Sequence, residues 1–85
     1  MSLDELIKEG EEMEKNAQSD SMLGKIIPLD ELERWTTKVI LYLNKNSTDE
    51  FLIEKVKENA KSLHSNGYKK FQSILGVLKG IKESL

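Results

Sequence analysis

The chain of 85 residues has no cysteine, one proline, one histidine and no long apolar run. Without cysteine there is no disulfide, no thiolate metal site and no cysteine nucleophile, and nothing calls for an oxidising compartment. A cytoplasmic location is the simplest expectation. The longest uninterrupted apolar stretch, Val39 to Leu43, is five residues, against the roughly 18 needed to cross a bilayer. No membrane partner is expected. The chain opens with Asp4, Glu5 and Glu9, where a secretory signal would carry positive charge and then an apolar core, so export is not expected either.

The poverty extends to catalytic groups. His64 has no second histidine for a metal pair, and Ser62 and Ser65 beside it lack the elbow motif and the acid orienter of a serine hydrolase. His64 reads as a surface or helix-end residue, and the chain is not expected to be an enzyme. Glu9, Glu11, Glu12 and Glu14 supply oxygen atoms, but they lack the alternating spacing of a calcium loop and spread around a helix. They read as a solvated face, with no metal and no cofactor. Gly67, Gly76 and Gly80 follow no strand and precede no GKS or GKT, so they form no phosphate cradle. Gly76 and Gly80 have the GxxxG spacing, a weak signal outside lipid.

What is present is helical pattern. Ser2 and Glu5 have the form of a capping box, and Leu3, Leu6, Ile7, Met13 and Ala17 follow at helical spacing, predicting a first helix over 3–17. Gly10 inside it costs about 1 kcal/mol relative to alanine. It marks either a weak point, the plainer reading, or close contact with another helix. Residues 18–27 mix turn formers with Met22, Leu23, Ile26 and Ile27, which are expected to fold back onto the core from an irregular connection. Pro28 suits a helix start, and Asp30, Glu31 and Glu33 suit its positive end, predicting a second helix over 28–45. Its stripe is Leu32, Trp35, Val39, Ile40 and Leu43, while Leu41 and Tyr42 place apolar surface on the other faces.

Ser47 and Glu50 form a second capping-box pattern, predicting a third helix over 48–65 with Phe51, Leu52, Val56, Ala60 and Leu63 inward. Asn66-Gly67 is read as its stop, with the glycine left-handed. Phe71, Ile74, Leu75, Leu78, Ile81 and Leu85 then give the clearest amphipathic helix, over 68–84. No segment reads as a strand and no repeat is present. The expectation is one all-α domain over 1–85, a compact bundle of about four helices. A domain of this size buries only roughly 60 to 65% of its unfolded surface, so association with a partner or a second copy is an ordinary way to strengthen it.

Charge is unevenly spread. Residues 1–35 hold ten acids and four bases, a balance of −6; residues 36–85 hold five acids and nine bases, a balance of +4, which together give the net −2. An acidic first helix either lies against basic later helices or leaves a basic face for an anionic ligand or another copy. The net acidity argues against nucleic acid as a partner, since duplex binding draws on phosphate neutralisation. The candidate binding residues are Trp35, Lys38 and Tyr42 on the second helix with Tyr68 and Lys69 on the fourth. Aromatic rings beside lysines suit stacking on a nucleotide. Their alternative reading is core packing for Trp35 and solvated stems for the lysines.

The arrangement LxxWxxKVxxYL over Leu32 to Leu43, followed by NGYxxFxxILxxLKxI over Asn66 to Ile81, resembles a helical module of bacterial and prophage proteins. That module often precedes nucleotide-sensing or TIR-like effector domains in phage-defence contexts. The 85 residues contain no such effector, so the resemblance implies a helical module alone and carries over no enzymatic activity. The leading expectation is a non-enzymatic, homo-oligomeric binding module, phage- or prophage-encoded, acting in phage–host conflict by protein association. The alternative is a sponge that holds a small anionic nucleotide signal between subunits. A nucleic-acid regulator ranks third.

Overall fold

Ser2 lies in extended conformation and its Oγ accepts from the Glu5 backbone N–H at 3.2 Å, which starts the first helix, α1, at Leu3–Asn16. The computed structural model describes residues 2–20, 24–46 and 49–85. Along them follow two short strands, β1 (Gln18–Asp20) and β2 (Gly24–Ile26), then α2 (Leu29–Asn46), α3 (Glu50–Ala60) and α4 (Gly67–Glu83). The fold is an all-α bundle of four helices among the described residues, with a radius of gyration of 12.4 Å, about that of one packed domain of this length.

Three features depart from the expected elements. The strands β1 and β2 pair antiparallel, Gln18 with Ile26 through Asp20 with Gly24, in place of an irregular connection. Three-residue strands are too short to show an alternating pattern. Second, α3 is shorter than expected: it ends at Ala60, and a turn carries the chain through Leu63 and His64. Its cap is Asp49, whose carboxylate accepts from the Phe51 and Leu52 N–H groups at 3.0 and 3.3 Å; the expected cap, Ser47, lies outside the described residues. Third, the left-handed residue before α4 is Asn66, at φ 56°, and not Gly67. Asparagine tolerates that conformation better than most side chains. Gly67 serves a different need, because a Cβ there would lie 3.3 Å from Leu32 Cδ2.

Helices α2 and α4 form a central pair. α1 packs against both and α3 packs against both, while α1 and α3 do not touch. Trp35, Val39, Phe71, Ile74, Leu78 and Val56 are fully buried between these layers, and the Trp35 and Phe71 ring centroids stand 5.1 Å apart. The Trp35 Nε1–H donates to the Leu6 carbonyl of α1 at 3.0 Å. Gly10, one turn on, makes room for this crossing: a Cβ there would lie 2.8 Å from both Trp35 Cζ2 and Leu75 Cδ1. The glycine is a contact site and not merely a weak point in the helix.

The core assignment needs four corrections. Phe51 is 75% exposed and Leu85 91% exposed, so neither is core. Ile26 is exposed while Ile27 is buried, as adjacent residues of an extended chain point opposite ways. Val77 is buried although the sequence stripe omitted it. Met22 and Leu23 lie outside the described residues.

The charge asymmetry is met largely inside the molecule. Glu9 of α1 pairs with Lys38 of α2 at 3.0 Å, Glu11 with Lys79 of α4 at 3.7 Å, and Asp4 with Lys82 of α4. Lys70 donates from Nζ to the Ser62 carbonyl at 2.7 Å and to the Ser62 hydroxyl, placing a cation just beyond the C-terminal end of α3, where the helix dipole favours it.

Candidate binding cleft

A cavity of about 600 Å³ opens at the end of the bundle where β2 meets the start of α4. One wall is β2 with Ile27, Pro28 and Leu29; the other is the first turns of α4 with Tyr68, Lys69 and Gln72. Leu32 and Leu63, both buried, form its floor, and His64 and Asn66 are also in its lining. Ile26 and Leu29 remain 41% and 43% exposed at its lip.

Local sequence explains how the second wall comes to stand there. Asn66 turns the chain through its left-handed conformation, and Gly67 lets the first turn of α4 approach Leu32. No side chain caps α4 and no acid stands in its first turn. The N–H groups that begin a helix have no intrahelical partner and carry the positive end of its dipole. Here they belong to lining residues.

Among the described residues the cleft lining contains Lys25, His64 and Lys69 and no aspartate or glutamate. Lys25 and Lys69 are exposed and take part in no ion pair among the described residues. The Tyr68 ring is half-buried and packs 5.9 Å from the Phe71 ring, so one part is fixed by the core and the rest borders the cleft.

The five residues singled out by sequence do not converge. Tyr68 and Lys69 line the cleft. Trp35 is fully buried with its N–H engaged, which removes it from any binding surface. Lys38 stands between α1 and α2 on Glu9, away from the cleft lining. Tyr42 is half-buried against the core and is not among the cleft residues. Lys25, Ile26, Leu29, His64 and Gln72 were missed as site residues. No motif marks them, since they come from separate segments that only the fold joins.

A second groove, of about 530 Å³, runs along α4 past Gly76 and Gly80, with Leu52 and Ile81 beside them. Both glycines are exposed and have open space where a Cβ would stand, so the GxxxG pair makes no close helix contact among the described residues. Among the described residues no cluster of three or more histidine or acidic side chains is placed to hold a metal ion, and no helix is long and apolar enough to cross a membrane.

The chain matches no protein-family model, no curated protein and no solved structure. The likeness to prophage helical modules therefore rests on hydrophobic spacing, and function has to be argued from the site.

Proposed function

We propose that this chain is a non-enzymatic helical binding module of the cytoplasm that acts by associating with protein, a second copy of itself included. The observation that carries this reading is the cleft between β2 and α4. Its floor is apolar, two aliphatic side chains stay in solvent at its lip, and among the described residues lysines without carboxylates stand around it. An apolar centre with a polar rim is the composition of a surface that a partner covers.

Self-association draws on other uncovered side chains, Leu41 of α2 and Phe51 of α3, which are 57% and 75% exposed. The phage–host setting comes from the resemblance, with the module occluding a protein of the opposing side.

The test places a photo-crosslinking amino acid at Gln72 in the cleft and, separately, at Lys45 outside it. The expected result is a protein adduct from position 72 alone. Adducts from both positions equally, or from neither, would reject the cleft as the binding surface. Native mass spectrometry of the same preparation reports copy number, and Leu41→Ser with Phe51→Ser should lower it.

The second reading, a sponge for a small anionic nucleotide, draws on Tyr68 and Lys69 in one cleft whose volume falls within the range of small-ligand sites. A ligand at 100 times its dissociation constant adds about 2.7 kcal/mol of stability. A thermal-shift panel of cyclic nucleotides and ADP-ribose derivatives without stabilisation removes this reading.

A further inference from the structure

We propose that the cleft takes an acidic, apolar peptide segment of a partner protein, one that sets aspartate or glutamate beside large aliphatic or aromatic side chains. This rests on the binding-module reading and adds the chemistry of the partner. The chain carries 15 acids against 13 lysines and arginines, yet the described residues lining this cleft include Lys25 and Lys69 and no acid. Elsewhere four lysines stand on acids: Lys38, Lys79 and Lys82 on acids of α1, and Lys61 on Glu58. Lys25 and Lys69 are in no such pair among the described residues, and they stand on opposite walls of one cleft. The uncapped start of α4 adds positive potential to the same place. Unbalanced positive charge in a net-acidic protein is a preference for an anionic partner.

The apolar part of the cleft decides what kind of anion. Ile26 and Leu29 at the lip, above Leu32 and Leu63, gain nothing from a hydrated phosphate but are covered by apolar side chains. Two lysines with no arginine fork and no glycine-rich loop make a poor phosphate clamp. Nucleic acid would need many more neutralised phosphates. A peptide satisfies both halves of the lining, with carboxylates toward Lys25 and Lys69 and large side chains on the lip and floor.

The test uses the full-length, ¹⁵N-labelled protein at low salt with three end-capped heptapeptides, leucine alternating with glutamate, glutamine or lysine. The Leu/Glu peptide is expected to move the amide signals of Ile26, Leu63, Tyr68 and Lys69, and to bind about tenfold more tightly than Leu/Gln. The double variant Lys25→Glu, Lys69→Glu should lose about tenfold for Leu/Glu and gain affinity for Leu/Lys. Both lysines are exposed, so amide signals away from the cleft should stay in place and show that the variant is folded. Equal binding of the three peptides, or preference for Leu/Lys, overturns the acidic partner and leaves a protein-binding cleft. No shift at the cleft with any peptide overturns the binding-module reading as well. If inorganic phosphate or ADP-ribose alone reproduces the shifts and displaces Leu/Glu, the site belongs to a small anion and the peptide proposal fails.

Discussion

Trp35 and Leu6, 29 residues apart in sequence, are joined by a hydrogen bond from the indole N–H to the backbone carbonyl at 3.0 Å. A carbonyl inside a helix has a second lone pair to give without losing its own intrahelical bond. The indole reaches that oxygen because the next turn of α1 presents Gly10, where any side chain would occupy the ring's place.

Gly10→Ala sets two effects against each other. Alanine gains about 1 kcal/mol of helix propensity, but its Cβ would lie 2.8 Å from a rigid indole carbon and from a leucine methyl. Overpacking of this kind costs about 1 to 3 kcal/mol, and the ring has little freedom to retreat. The expected outcome is a net loss of about 1 kcal/mol, read as a lower urea midpoint at unchanged slope. Stabilisation would show that α1 shifts outward freely.

Thr36 offers the opposite sign. It is 2% exposed and its hydroxyl has no hydrogen-bond partner among the described residues. A buried unsatisfied polar group costs about 1 to 3 kcal/mol, and replacing it with an apolar group of the same shape recovers part of that. Thr36→Val should raise stability by about 1 kcal/mol, measured by the thermal midpoint.

The cap of α3 gives a third test. Asp49 accepts from two N–H groups of the first turn, and losing such a cap costs typically about 1 kcal/mol. Asp49→Ala should lower the denaturation midpoint accordingly, whereas Asp49→Ser should restore most of it.

Legibility of the sequence divides along the same lines as these tests. Interactions within one helix are readable: the Ser2 cap, the starts of α1, α2 and α4, and the stripes of α1 and α2, whereas the α4 stripe omits Val77 and includes the exposed Leu85, and the break at Asn66-Gly67 is legible but not which of the two is left-handed. Errors arose where several solutions share one local pattern. Phe51, Leu52 and Ile53 are consecutive apolar residues that span more than half of the helix circumference, so spacing alone did not show that Phe51 faces solvent. Aspartate and serine both cap helices, and Ser47 and Asp49 stand two residues apart. The cleft was the least legible part, because β2, the turn at His64 and the start of α4 meet only through tertiary packing. The ring-and-lysine chemistry that marks Tyr68 and Lys69 in the sequence marks Trp35 equally, although the fold uses the Trp35 ring as core.

The ion pairs of α1 predict a small salt effect. The side chains joining Asp4, Glu9 and Glu11 to Lys82, Lys38 and Lys79 are 41 to 74% exposed, and such pairs contribute roughly 0.2 to 1 kcal/mol each. Raising salt from about 0.01 M to about 1 M shortens the Debye length from roughly 30 Å to 3 Å. Stability should fall by roughly 0.6 to 3 kcal/mol for the three pairs together, and a double-mutant cycle on Glu9 and Lys38 should give a coupling below about 1 kcal/mol. A larger value would mean that charge, more than Leu3, Leu6 and Ile7, holds α1 in place.

Lys61 donates to Glu58 at 3.0 Å, and that hydrogen bond, then the Glu58 charge, raises its pKa above the ordinary 10.5. With the folded value above the unfolded one, the pair's contribution is complete below the ordinary value and is lost as pH climbs through the raised one. Glu58→Gln should return the Lys61 side-chain titration, followed by NMR, toward its ordinary midpoint.

The placement of the indole beneath α1 makes the protein its own optical gauge. The chain has one tryptophan, sealed on one side by the turn between Leu6 and Gly10 and on the other by Phe71. Since α1 does not touch α3, peeling away the first helix would wet the indole and shift its emission to the red while the α2–α3–α4 unit keeps its ellipticity. Fluorescence and circular dichroism thus watch different parts of one small molecule, and a lag between them would time the departure of its first helix.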